Sequence, residues 1–179
     1  MVATRPLTIA EFESETREGL WELIDGEPVE VTPSSDRSSW IAGEVLYHFR
    51  AYLENHPIGR AFPADAGFVL FADRNTVRAP DAAFVRFDRL PELTEAFVPI
   101  PPDLAVEVIS PTDRLADVLS KASMYLQAGV PLVWVIDPRK HTATIFRQDE
   151  GPVTIGKDGV LDGEEVLPGF TLPLAKLLA

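Results

Sequence analysis

The chain has 179 residues, 46% hydrophobic and 25% charged, which suits one domain with a sizeable core. The absence of cysteine excludes disulfides and thiolate chemistry, and no apolar run approaches the roughly 18 residues of a membrane span. A formal net charge of −12 counts against tight nucleic-acid binding, since phosphate neutralisation by basic side chains supplies most of that affinity.

Met1 to Pro6 lacks the apolar core of a secretory signal, so a cytoplasmic protein is expected. Thr8-Ile9-Ala10-Glu11 has the form of a capping box and predicts a short helix over 8–16. Leu20 to Ile24 and Glu27 to Val31 flank Asp25-Gly26, the two-residue turn of a β-hairpin, and Pro28 places the second strand at an edge. Between 11 and 30 eight acids face one base, Arg17, which reads as a solvated face.

After the loop Thr32-Pro33-Ser34-Ser35, the residues Ile41, Val45, Leu46, Phe49, Tyr52 and Leu53 recur at helical spacing. They predict a helix over 36–55, closed by His56-Pro57. His48 lies at the edge of that stripe and reads as a satisfied boundary residue. With His56 and His141 it is scattered along the chain, without zinc-like spacing.

Strands are predicted over 67–71, 82–86 and 104–109, with a proline-rich loop between the last two. Ser110-Pro111-Thr112 predicts a helix start with Pro near the first position. Its apolar stripe is Leu115, Val118, Leu119, Ala122, Tyr125 and Leu126, and Gly129 is a left-handed cap. Leu132 to Ile136 is apolar throughout, as a central strand covered on both faces would be. Thr142 to Arg147 should pair antiparallel beside it, and the tail closes on apolar Leu167 to Leu178. The segments 104–109 and 132–136 should be parallel neighbours joined by a right-handed crossover. The result is an α/β or α+β fold around a mixed sheet flanked by helices, with no linker to divide residues 1–179 into two domains.

Glu107 sits inside the run Leu104-Ala105-Val106-Glu107-Val108-Ile109. Burying an ionised carboxylate without a partner costs several kcal/mol, so it needs a cation or a set of donors. Asp81, at the head of the strand over 82–86, is a second acid on a rigid element. Lys121 lies on the helix that follows Glu107. Two carboxylates and a lysine suit Mg²⁺-dependent phosphodiester hydrolysis, with the acids as hard oxygen ligands and the lysine orienting water or stabilising charge. Glu22 could add a third carboxylate. Each residue also has a plainer reading. Asp81 fits a turn after Pro80, Lys121 fits a solvated ion pair with Asp117 four residues earlier, and Glu22 fits an exposed hairpin face shared with Leu20 and Ile24. Between 60 and 90 five arginines slightly outnumber four aspartates, which eases the unfavourable charge near Asp81.

Thr8-Ile9-Ala10-Glu11-Phe12, Trp21-Glu22-Leu23-Ile24-Asp25-Gly26-Glu27, Val77-Arg78-Ala79-Pro80-Asp81 and Val106-Glu107-Val108-Ile109-Ser110-Pro111 occur in this order. They are followed by Lys121, Tyr125, Ala128-Gly129-Val130 and Trp134-Val135-Ile136-Asp137-Pro138. In that order the chain resembles a bacterial family of restriction endonucleases, the Uma-two type, within the PD-(D/E)xK nuclease superfamily. The resemblance runs from about Thr8 to Arg147. It implies a restriction-endonuclease-like core with a Mg²⁺-dependent site, Mn²⁺ being accepted by the same ligands. Asp81 and Glu107 then look like the metal-binding acids, Lys121 like the catalytic lysine, and Glu22 like a candidate accessory acid. The chain departs from the wider superfamily at Ile109, where a lysine normally stands; in this type the lysine is moved to the following helix. It also carries Ser38 where family members often have histidine.

The leading reading is therefore an endonuclease acting on DNA, compatible with a homodimer. A non-catalytic interaction module on the same scaffold comes second, favoured by the charge. A metal-dependent hydrolase of another phosphoester comes third.

Overall fold

The structure is a computed structural model and describes residues 5–178. The first residues of the segment read as lacking a secretory signal, Met1 to Thr4, lie outside the described residues. Helix α1 spans Ile9–Ser14, shorter than 8–16. Its capping box forms as expected: Glu11 N–H donates to Thr8 Oγ1 at 3.2 Å and Thr8 N–H donates to Glu11 Oε2 at 2.8 Å. Strands β1 (Leu20–Ile24) and β2 (Glu27–Val31) pair antiparallel about Asp25 and Gly26, whose φ angles of 50° and 79° suit a tight hairpin turn. Helix α2 covers Asp36–Asn55, and Ser35 caps it by accepting from Ser38 N–H.

Two sheets organise the rest. Strands β3 (Gly59–Pro63), β4 (Phe68–Phe71), β5 (Thr76–Arg78), β6 (Ala82–Arg86) and β7 (Leu104–Val108) precede helix α3 (Leu115–Gln127). After it come β8 (Leu132–Asp137), β9 (Thr142–Arg147) and β10 (Val153–Gly156). The smaller sheet has the order β2-β1-β5-β4, with the Pro28 strand at its edge. The larger, mixed sheet has the order β10-β9-β8-β7-β6-β3. Its parallel pair is β7 with β8, bridged by α3.

Alternation along β7 divides the core. Leu104, Val106 and Val108 face α2 in a cluster with Phe49, Trp134 and Phe170. Ala105 faces α3 beside Ala83, Val133, Val135 and Tyr125, and Glu107 shares that side. The tail adds β11 (Val160–Asp162), β12 (Thr171–Pro173) and α4 (Leu174–Leu177), whose leucines complete the cluster on the α2 side.

Three features differ from the sequence expectation. Strands β3, β5, β10, β11 and β12 and helix α4 were not foreseen. Gly59 opens β3 where a Cβ would stand 2.3 Å from the Val85 carbonyl oxygen and 2.4 Å from a Phe84 ring carbon. Gly59→Ala should therefore cost about 1–3 kcal/mol by overpacking, read as a lower midpoint in urea unfolding. Helix α3 begins at Leu115 rather than near Pro111, because Ser110 N–H donates to Asp113 Oδ2 at 2.6 Å and closes a turn ahead of it. Leu115 and Leu119 are 47% and 40% exposed, so the inward face of α3 is Val118, Ala122 and Tyr125. Gly129, at φ 88°, ends the helix segment as expected. No helix among the described residues is long and apolar enough to cross a membrane.

Candidate active site

Ala82 pairs with Val106, and continuing that antiparallel register sets Asp81 opposite Glu107. Such cross-strand neighbours have Cβ atoms about 5 Å apart and share a face. Val108 N–H donates to Asp81 Oδ2 at 2.6 Å, while among the described residues no hydrogen bond reaches Asp81 Oδ1. Glu107 is 6% exposed, and both its oxygens are bonded from α3. Lys121 Nζ lies 2.9 Å from Oε1 and 3.0 Å from Oε2, and Tyr125 Oη donates to Oε1 at 2.8 Å. One helical turn separates Lys121 from Tyr125, so both reach the same strand from one helix face.

The smaller sheet closes the arrangement. Glu22, on β1, is 4% exposed. Its Oε2 accepts from Arg78 Nη1 at 2.5 Å and its Oε1 from Ala79 N–H at 2.9 Å, with Lys121 Nζ 3.3 Å from that oxygen. Lys121 also donates to the Ala79 carbonyl at 3.1 Å. A hollow of about 90 Å³ is lined by Trp21, Glu22, Ala79, Asp81 and Lys121 among others.

All four residues singled out from the sequence thus meet at one place, and the plainer readings of two of them fail. Lys121 turns inward to Glu107 and Glu22 rather than outward to Asp117. Glu22 is buried rather than exposed, because Arg78 supplies its counter-charge. His48 stays half-buried on α2. Ser38 is buried and donates to the Ile109 carbonyl at 3.2 Å, tying the start of α2 to the end of the strand that carries Glu107.

Two participants were missed in the sequence. Arg78 heads the same Arg-Ala-Pro-Asp segment as Asp81, and asking which cation could neutralise Glu22 would have raised it. Tyr125 was read as a core residue and as part of the motif order but given no role in the site, although a tyrosine hydroxyl inside an apolar stripe needs a partner.

The electrostatics follow from burial opposed by charge. Burial pushes the Glu107 carboxyl up to about 7, against the pull of Lys121, and the neighbouring acids Asp81 and Glu22 add to the rise. Burial also raises Asp81, again with Lys121 opposing. For Glu22 the burial penalty is outweighed by Lys121 and Arg78, which hold it below the usual carboxylate range. Lys121 is burdened by burial, yet Glu107 and Glu22 keep it protonated well above the usual lysine value. Burial and Glu107 hold the Tyr125 hydroxyl protonated, so it acts as a donor.

Three carboxylates facing two cationic side chains leave the centre short of positive charge. Asp81 and Glu107 are hard oxygen donors, and the raised state of both is what an added cation would relieve. Among the described residues no group of three His, Cys, Asp or Glu side chains is spaced to hold a metal ion together. Two carboxylates are nonetheless a donor number that Mg²⁺ accepts, since it keeps several waters. The residues fit a divalent cation on those terms.

The Glu107 shift carries a sign for stability. An acid whose folded value lies above its unfolded value adds stability that is complete below the unfolded value and lost as pH rises through the folded one. From the usual 4.5 to about 7 the loss is about 3 kcal/mol. Urea unfolding of cation-free protein from pH 5 to pH 8 should show it, and Glu107→Gln should flatten the dependence.

The sequence profile of the family described as "Uma2: Putative restriction endonuclease" matches residues 8–175. A crystal structure of a "putative nuclease belonging to DUF820" from Anabaena variabilis ATCC 29413 superposes with a TM-score of 0.82. The two chains are 21% identical, and the alignment covers 97% of this chain and 98% of that one. The expected architecture, a mixed central sheet flanked by helices with an N-terminal β-hairpin, is thereby shared with a solved fold. No curated protein matches the chain.

Proposed function

This chain belongs to the Uma2 restriction endonuclease family, and on that premise we propose that it is a metal-dependent endonuclease that hydrolyses DNA phosphodiester bonds. Residues 1–179 act as a single domain in this reading. Asp81 and Glu107 hold the cation, Mg²⁺ or Mn²⁺, and Lys121 is the catalytic lysine. The observation that carries the proposal is the meeting of two acids on adjacent strands, both raised by burial, with a partly buried lysine from the crossover helix. A divalent cation supplies an activated water and neutralises charge on the phosphoryl oxygens.

The chain's own groups do the rest. Val108 N–H fixes one Asp81 oxygen and leaves the other free. Tyr125, which stays neutral, fixes the plane of the Glu107 carboxylate without adding charge that would repel a cation. Lys121 places a permanent positive charge beside Glu107 and Glu22, where it can orient water or stabilise charge on the scissile phosphate. The net charge of −12 predicts weak association with duplex DNA.

The test is nicking of supercoiled plasmid by purified protein at low salt. Cleavage should appear with Mg²⁺ or Mn²⁺ and vanish in EDTA. Linear product from single encounters would indicate the homodimer proposed for cutting both strands. Absence of cleavage in either metal would sink the endonuclease reading and favour a non-catalytic interaction module or another phosphoester.

A further inference from the structure

We infer that Glu22 is a positioning residue that seats Lys121, and is not a metal ligand. This rests on the endonuclease reading and adds a division of labour among its acids. Glu22 alone among the three acids has a second cationic partner: Oε2 accepts from Arg78 Nη1 and Oε1 from Ala79 N–H with Lys121 Nζ at 3.3 Å, whereas Glu107, bonded at both oxygens from α3, has Lys121 as its one cation among the described residues. Asp81 keeps a free oxygen and lies across from Glu107, whereas Glu22 comes from the other sheet.

The need for a seat follows from the ammonium's contacts. Lys121 Nζ has three protons and three acceptors: the Glu107 carboxylate, the Ala79 carbonyl and Glu22. Lys121 must share Glu107 with the cation in the working enzyme, so its place cannot depend on Glu107 alone. Glu22 and the Ala79 carbonyl hold it independently. Arg78 keeps Glu22 charged for this task. It is 9% exposed, and among the described residues its Nε has no acceptor, so its charge is committed to Glu22. Arg78 and Ala79 also lead directly into Pro80 and Asp81, so one short segment sets both the lysine seat and the first acid.

The decisive variant is Glu22→Gln combined with Arg78→Met, which removes the seat without leaving a buried guanidinium unpaired. Glu22→Asp, which keeps the charge but withdraws it, serves as a second, milder variant. Mn²⁺ binding by calorimetry and plasmid nicking would be measured beside wild type and Asp81→Asn. The expected result for the double variant is a kcat about 100-fold lower, with KM and Mn²⁺ affinity unchanged, as for a misplaced group. Glu22→Asp should fall between, again with unchanged Mn²⁺ affinity, while Asp81→Asn should lose Mn²⁺. A drop of about tenfold or more in Mn²⁺ affinity for both Glu22 variants would make Glu22 a ligand and overturn the inference. So would a kcat close to wild type in the folded double variant. A wild-type protein that neither binds Mn²⁺ nor nicks would instead overturn the endonuclease reading itself.

Discussion

Glu107→Ala is expected to abolish metal-dependent cleavage, with kcat at least about 10³-fold below wild type. Glu107 is one of two carboxylates proposed to hold the cation, and it stands at the centre of the network, bonded by Lys121 and Tyr125. Without it Asp81 would be left as the lone acid ligand, and the lysine would keep only Glu22 and the Ala79 carbonyl. The fold should survive. The substitution removes a carboxyl that burial already disfavours, and Lys121 retains a second carboxylate at 3.3 Å. The structural cost is mainly the orphaned Tyr125 hydroxyl, about 1–3 kcal/mol. Plasmid nicking, calorimetry with Mn²⁺ and thermal unfolding of the same preparation separate the two effects. Full cleavage by a folded Glu107→Ala protein would remove Glu107 from the site.

The second large effect belongs to Lys121→Met. It leaves Glu22 and Glu107 buried with only Arg78 as counter-charge, and loss of one member of a buried charge network costs about 3–5 kcal/mol. The loss should be largest near pH 8. Toward pH 5 it should shrink, because Glu107, already held up at about 7, takes up a proton and no longer needs a partner. Cleavage should fall about 10²- to 10³-fold. Mn²⁺ should bind at least as tightly as in wild type, because a positive charge beside both proposed ligands has gone. That opposition, tighter metal and slower chemistry, distinguishes a lysine acting in the reaction from one that merely holds the strands together. Weaker Mn²⁺ binding in a folded Lys121→Met protein would contradict it.

Some of this was legible because the signals are local. The Thr8-to-Glu11 capping box, the Asp25-Gly26 turn and the apolar spacing from Ile41 to Leu53 each depend on backbone preferences within a few residues. Those elements appear where expected. The βαβ unit from Leu104 to Asp137 was readable for a related reason: strands apolar throughout must be covered on both faces. An acid inside such a strand announces a site, so Glu107 stood out without any partner being known. Asp81 and Lys121 joined it by their places at a strand head and on the following helix, and then through the order of motifs.

Strands β3 and β5 carried no such signal. Gly59 to Pro63 lacks alternation, and its glycine makes sense only against the carbonyl of Val85 and the ring of Phe84. Thr76 to Arg78 is three residues long and exists because Val77 pairs with Leu23 and Val69. Charged side chains were ambiguous for the same reason. In the sequence Lys121 has Asp117 as its neighbour, and only the packing of α3 on β7 turns it to Glu107. Glu22 alternates with apolar residues in either case, and its burial depends on Arg78, which lies 56 residues away. Local preference decides which element forms, because it acts through the adjoining backbone. The tertiary structure decides which charges are buried, because desolvating a carboxylate is affordable only where another segment delivers the compensating charge.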